Sequence, residues 1–157
     1  MHFDIVDADF ESAAHRAGIL NVLNSWEPLG SDVRDRLVPG LRDHPTTWVL
    51  LAVSEGRPVG VAVCFLGFST FQARPLLNIH DLAVLPEWRG KRIGRALLAH
   101  AEDRARRRGC CKLTLEVLDD NARARGLYES FGFSDFVVGD SAPTLFLTKA
   151  LDAPTGL

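Results

Sequence analysis

The segment "NIHDLAVLPEWRGKRIGRALL" (78–98) decides the fold. Its first half is apolar and reads as a buried strand. From Ile93 onward apolar residues recur at helical spacing, which predicts a helix starting just after Gly90 and running to about Arg108, closed by Gly109. The first two turns of that helix would carry Lys91, Arg92 and Arg95 with no acid among them. A helix N-terminus already bears about half a positive charge, and a cation there costs on the order of 0.3–1 kcal/mol. A bound polyphosphate reverses that sign. The turn's free amides form a cradle for it, and Arg89, Lys91, Arg92 and Arg95 surround it as counter-charges. The competing reading is that the long basic side chains splay into solvent, where the penalty is screened. The later run Arg104–Arg108 needs no ligand, because cations suit a helix C-terminus.

Working outward, "HFDIVDA" alternates as a first strand. "DFESAAHRAGILNVLNSW" reads as a helix with Asp9 as its cap, and "SDVRDRLVPGLRDH" as a shorter one interrupted near Pro39-Gly40. Two β-branched runs flank Glu55-Gly56-Arg57-Pro58 and predict a hairpin. "STFQARP" is a loop leading into the strand of the opening segment. After the basic helix, "CKLTLEVL" alternates as a strand. Asp119-Asp120-Asn121 offers capping side chains for a helix "ARARGLYESF" that Gly132 ends, and "DFVVGDSAPTLFLTK" finishes as two short strands. The order β-α-α-β-β-β-α-β-α-β-β implies an α/β (α+β) chain with a mixed sheet and helices on its faces.

The chain has 157 residues, 46% apolar and 24% charged, as expected for one globular domain. No apolar run approaches the roughly 18 residues that span a bilayer. The acidic start lacks a signal-peptide pattern, and three cysteines, two of them adjacent (Cys110, Cys111), make neither a disulfide framework nor a metal site. A reducing cytoplasm is therefore expected, with no metal and no membrane partner. Residues 87–108 hold eight Lys/Arg against three acids, a local +5 within a chain of net −2. One basic segment on an acidic body, with no interleaved aromatic platform, points to a localised anion rather than to nucleic acid.

Known phosphate motifs do not fit: "RGKRIG" lacks P-loop spacing, and no G-x-G-x-x-G opens a βαβ unit. "DLAVLPEWRGKRIGRALL" instead resembles the central acyl-CoA motif of the GCN5-related (GNAT) N-acetyltransferase superfamily, Arg/Gln-x-x-Gly-x-Gly/Ala after a Val-containing strand. Arg89 matches the first position and Gly94 the last, while Arg92 stands where the family usually has glycine. That departure fits if Arg92 takes ordinary helical dihedrals. "LEVLDDNARARGLYESFGF" (115–133) resembles the family's next signature, a strand, an Asn, a short helix with Tyr, then Gly-Phe. Ala124, Leu127, Tyr128 and Phe131 share a helical face, so Tyr128, the only tyrosine, is expected to point inward.

The resemblance implies a single GNAT domain over 1–150 with a tail at 151–157. It implies a mostly antiparallel sheet of six to seven strands flanked by about four helices. It implies acetyl-CoA as cosubstrate, held by Leu82, Ala83 and Val84, by the turn Arg89, Gly90, Lys91, Arg92, Ile93, Gly94 and Arg95, and by Asn121, Ala124 and Tyr128. It implies that the Tyr128 hydroxyl protonates the departing thiolate; a phenol near 10 against a thiol near 8.5 makes that transfer reasonable. Dimers are common in the family, so a homodimer is implied as well.

Acetyl transfer needs a neutral amine, and an alkyl amine of pKa near 10.4 is only about 0.1% neutral at pH 7.4. His80 and Asp81 are the candidate acceptors of its proton. As strand neighbours they are expected to point to opposite faces, leaving one toward the cleft unless a bulge rotates the register. "SWEPLG" and "LLNIHDLAV" further resemble the diamine (polyamine) acetyltransferase branch, in which an aromatic-Glu pair and an acidic strand pair approach the amine. Trp26 and Glu27 match the first pair by type; Asp81 matches one acid of the second, and His80 replaces the other. The expected activity is acetylation of a small primary amine: a diamine, amino acid or aminoglycoside-like acceptor. Acetylation of protein Lys or N-termini, or a non-catalytic acyl-CoA-binding role, are the alternatives.

Overall fold

The computed structural model describes residues 1–137 and 142–151. They fall into two compact units, residues 1–116 and the residues from 117 on. The first holds β1 (Asp4–Asp7), α1 (Ala13–Trp26), α2 (Ser31–Asp43), β2 (Thr47–Ser54), β3 (Arg57–Ser69), β4 (Arg74–Val84), α3 (Ile93–Arg107) and β5 (Leu113–Leu115); the second holds α4 (Ala122–Ser130). The sheet runs β1-β2-β3-β4-β5, with every neighbouring pair antiparallel except the parallel β4–β5.

The expected mixed, mostly antiparallel architecture with four helices is what forms, but with five strands rather than six or seven. The two strands expected in "DFVVGDSAPTLFLTK" are not present among the described residues; Val137 and Pro143 make a single bridge there, and positions 138–141 lie outside the described residues. The tail expected at 151–157 lies outside them as well, apart from residue 151.

Local chemistry moves three helix boundaries. Ser12, not Asp9, caps α1, its side chain accepting from the His15 amide at 3.3 Å, while Asp9 accepts from the Glu11 amide one turn earlier. α2 runs unbroken through Pro39, which is exposed, so water can take up the carbonyl that a proline ring leaves without its helical donor. α3 begins at Ile93, not directly after Gly90. Lys91 and Arg92 therefore precede the helix, and Arg95 alone of the three lies in its first turn. Gly109 (φ 80°) follows the end of α3, as expected.

The β2–β3 hairpin closes through Glu55 (φ 49°) and Gly56 (φ 76°), both left-handed, the two-residue turn that matches strand twist. α1 packs on one sheet face so closely that a Cβ at Gly18 would lie 2.3 Å from Pro58. On the other face a Cβ at Gly60 would lie 2.8 Å from Ile93 of α3. Between them sit fully buried Ile19, Leu50, Leu51, Val61, Leu77, Ile93, Leu97 and Leu98. Each such side chain contributes on the order of 2 kcal/mol. Arg104 spans from α3 to the sheet, its guanidinium 4.7 Å from the Trp48 ring centroid and paired with Asp7. No helix among the described residues is long and apolar enough to cross a membrane.

Candidate active site

Two features of β4 build the site. The first is a bulge. Val63 of β3 faces Asp81, but the next residue, Cys64, faces Ile79, so His80 is the extra residue. Directly opposed residues share a sheet face, which puts Asp81 with Val63 and, two residues on, Phe65. The His80 ring meets Phe65 edge-on at 5.4 Å and 75°. His80 and Asp81 therefore lie on one face, correcting the expectation of opposite faces; the inserted residue cancels the strand's alternation. It is the α1 side, since Pro58 under Gly18 shares that face through the register. Both residues are exposed. Partial burial raises the Asp81 pKa, and His80 beside it pulls it back. Phe65 also carries the His44 ring on it, at 4.9 Å and 70°. Sequence reading passed over Phe65 and His44 because only the bulge brings them to His80.

The second feature is an open edge. β4 pairs with β5 through Leu77, Asn78 and Ile79 and then loses it, so from His80 to Val84 β3 is the one strand alongside among the described residues. The Leu85 amide donates to Val59 of β3, whereas the Val84 carbonyl turns the other way and accepts from Arg89 Nε at 3.2 Å. By alternation the main chain of Leu82 faces the open edge with Val84, and that of Ala83 faces β3. Ala83 is buried; Leu82 and Val84 are half-buried.

The open edge leads through a 3-10 turn (Pro86–Trp88) into the bend Arg89–Gly94. Gly90 and Arg92 both have positive φ, 74° and 65°. Arg92 is thus left-handed at the N-cap of α3, not helical as expected. The amides of Gly90, Lys91, Arg92, Ile93 and Gly94 find no backbone acceptor among the described residues, and no side chain caps the helix. The first helical bond is Ala96 N–H to the Arg92 carbonyl. Lys91 folds back, donating to the Glu87 carbonyl at 2.9 Å with its ammonium 5.1 Å from the Trp88 ring. Five clustered donors at a helix start, with Arg89, Lys91 and Arg95 carried on the same segment, suit a diphosphate.

Trp26 ends α1 and Glu27 is its C-cap, both exposed. Neither makes a hydrogen bond, ion pair or ring contact with His80 or Asp81 among the described residues. In the second unit, the Asn121 side chain caps α4 by accepting from the Ala124 amide at 3.2 Å, so these two polar groups serve each other. Tyr128 is half-buried with Ala124, Leu127 and Phe131 on the less exposed face of α4, and its ring meets Phe133 edge-on at 5.9 Å. Burial raises the phenol pKa, which keeps it protonated.

Comparison with known proteins bears on this geometry. The model of the acetyltransferase (GNAT) family matches residues 8–133. An uncharacterized N-acetyltransferase, YhfO, of Bacillus subtilis is 30% identical over 135 residues, covering 84% of this chain and 90% of its own. The streptothricin acetyltransferase of Streptomyces lavendulae is 50% identical over 81 residues, 52% of this chain; the match spans 41% of that relative's length. Among solved structures, an aminoglycoside acetyltransferase from an uncultured soil metagenomic sample superposes with a TM-score of 0.75 at 17% identity, covering 92% of this chain and 97% of that one, a likeness of fold alone.

Proposed function

Because the chain belongs to the GNAT acetyltransferase family and is an N-acetyltransferase, we propose that it moves an acetyl group from acetyl-CoA to a small primary amine by direct attack in a ternary complex. The observation that carries this reading is the bend Gly90–Gly94, whose five amides find no backbone acceptor among the described residues, one short turn after the stretch of β4 that β5 does not pair. These amides, with Arg89, Lys91 and Arg95, would hold the diphosphate. Asn121 and Ala124 would belong to the same carrier's site. The open edge at Leu82 and Val84 would receive the thioester, with an amide donor for the oxyanion that develops on its carbonyl.

The ammonium first loses one proton to the His80–Asp81 face. The neutral nitrogen attacks the carbonyl carbon, the C–S bond breaks, and the nitrogen sheds its second proton. Tyr128 supplies a proton to the leaving thiolate and is itself reprotonated. The sum is one amide, one thiol and one released proton. A cationic acceptor also suits the Asp81 carboxylate; Glu27 and the exposed Trp26, at the end of α1, would supply a second carboxylate and a cation–π surface. That streptothricin acetyltransferase is among the relatives supports an amine-bearing small molecule as acceptor.

The test is thiol release from acetyl-CoA with diamines, lysine analogues and aminoglycosides offered in turn, preceded by the thermal shift with acetyl-CoA alone. A shift plus turnover with one of these classes is expected. Binding without turnover on any amine, peptide N-terminus or protein Lys would leave an acyl-CoA-binding module instead. Tyr128→Phe should lower kcat at least about tenfold with little change in acetyl-CoA affinity; an unchanged rate removes Tyr128 from the mechanism.

A further inference from the structure

His80 is the bulged residue of β4, so among the described residues no directly opposed cross-strand residue fixes its side chain. It is exposed, and Phe65 is its ring contact among the described residues. Phe65 is in turn braced by His44, the C-cap residue of α2. His44 is tied down by its own amide, which donates to the Gly40 carbonyl at 3.0 Å, and by Nδ1, which accepts from the Thr46 amide at 3.4 Å. An ordered chain thus runs from the end of α2 through a phenyl ring to the imidazole beside Asp81.

Resting on the amine-acetylation reading above, we propose that Phe65 is a positioning residue: braced by His44, its ring holds the His80 imidazole on the face of Asp81, so that His80 takes the proton from the incoming ammonium. An acceptor must come within about 2.6–3.2 Å of the proton it removes. An exposed imidazole without a packing partner samples several rotamers and meets that condition in a fraction of them. The bulge and the Phe65 contact hold the imidazole at this face as the acceptor, with Asp81 left to attract the cation. Phe65 reaches the amine through His80 and touches no reacting atom. Phe65 pairs with Asn78, away from the bend at 89–94 and from Leu82 and Val84, so carrier binding is predicted to be untouched.

The experiment pairs Phe65→Leu, which keeps an apolar side chain in the half-buried site, with His80→Gln and the double variant. Steady-state kinetics on the best amine are combined with NMR of the histidine Cε1 protons in the ligand-free protein. His44→Asn, at an exposed position, serves if Phe65→Leu does not fold. Phe65→Leu should lower kcat about tenfold, leave the acetyl-CoA KM within about twofold, and cause no further loss in the His80→Gln background. The ring-current displacement of the His80 signal should vanish with it. His44→Asn should show the same pattern at a smaller factor, about two- to threefold. An unchanged kcat, or an equal loss with and without His80, overturns the inference while leaving amine acetylation standing. Wild-type protein that acetylates no amine overturns both, and that result is read before any substitution is made.

Discussion

Arg92 occupies the left-handed region at φ 65° and ψ 17°, where an L side chain is strained by about 1–2 kcal/mol. Arg92→Gly should therefore raise Tm by about 2–4 °C in the ligand-free protein, as seen by calorimetry; a lower Tm would mean that the side chain makes a compensating contact. The mismatch between Arg92 and the family's glycine was legible from the sequence. Its dihedral was not, because a helix drawn from Gly90 places position 92 in the ordinary helical region, and the observed start at Ile93 does not. Asp81 carries the opposite tension. Burial raises its folded-state pKa, so the fold favours the protonated form. That contribution is present below the unfolded value and is lost as pH rises through the folded one, so near neutrality the carboxylate charge costs stability. Asp81→Asn should raise Tm at pH 7, lose that advantage near pH 3, and lower amine turnover. Thermal melts at the two pH values check the sign; destabilisation at pH 7 would show the ionised form to be the favoured one.

At the scale of elements, the contact of α1 with β3 is fixed by the absence of a side chain. A methyl at Gly18 would overlap three atoms of the Pro58 ring at 2.3–2.7 Å, and the ring cannot swing away. Gly18→Ala should cost about 2–3 kcal/mol in urea unfolding, and a neutral result would require α1 to slide on the sheet. The hairpin, the basic helix and the order of elements through α4 were readable because turn residues and periodicity are local signals. The bulge of β4 was not, since "NIHDLAV" reads the same with or without an inserted residue, and only the ladder to Val63 and Cys64 shows it. Proline misled in the opposite direction: Pro39 suggested a break, but an exposed turn tolerates it. The run Arg104–Arg108 divides as its position implied. Arg106 pairs with Glu102 and Arg107 with Asp103 along the helix, while Arg104 reaches Asp7 and Trp48.

Over the whole molecule, the basic segment of a mildly acidic chain coincides with the place where the sheet stops being closed. β5 leaves β4 after Ile79, the freed edge runs for five residues, and the amide-lined bend follows. The bend was legible as charge crowded at a helix start, and the family as two motifs in order. The edge beside it depends on where two distant strands cease to pair, which no local pattern records. The diphosphate seat is the claim on which the functional reading stands. Its most direct measurement is the backbone amide spectrum of isotope-labelled protein titrated with CoA and, separately, with pantetheine, which lacks the diphosphate. The account predicts large, saturable shifts at Gly90, Lys91, Arg92, Ile93 and Gly94 with CoA and none of that size with pantetheine. CoA binding that leaves these five amides unmoved would contradict it.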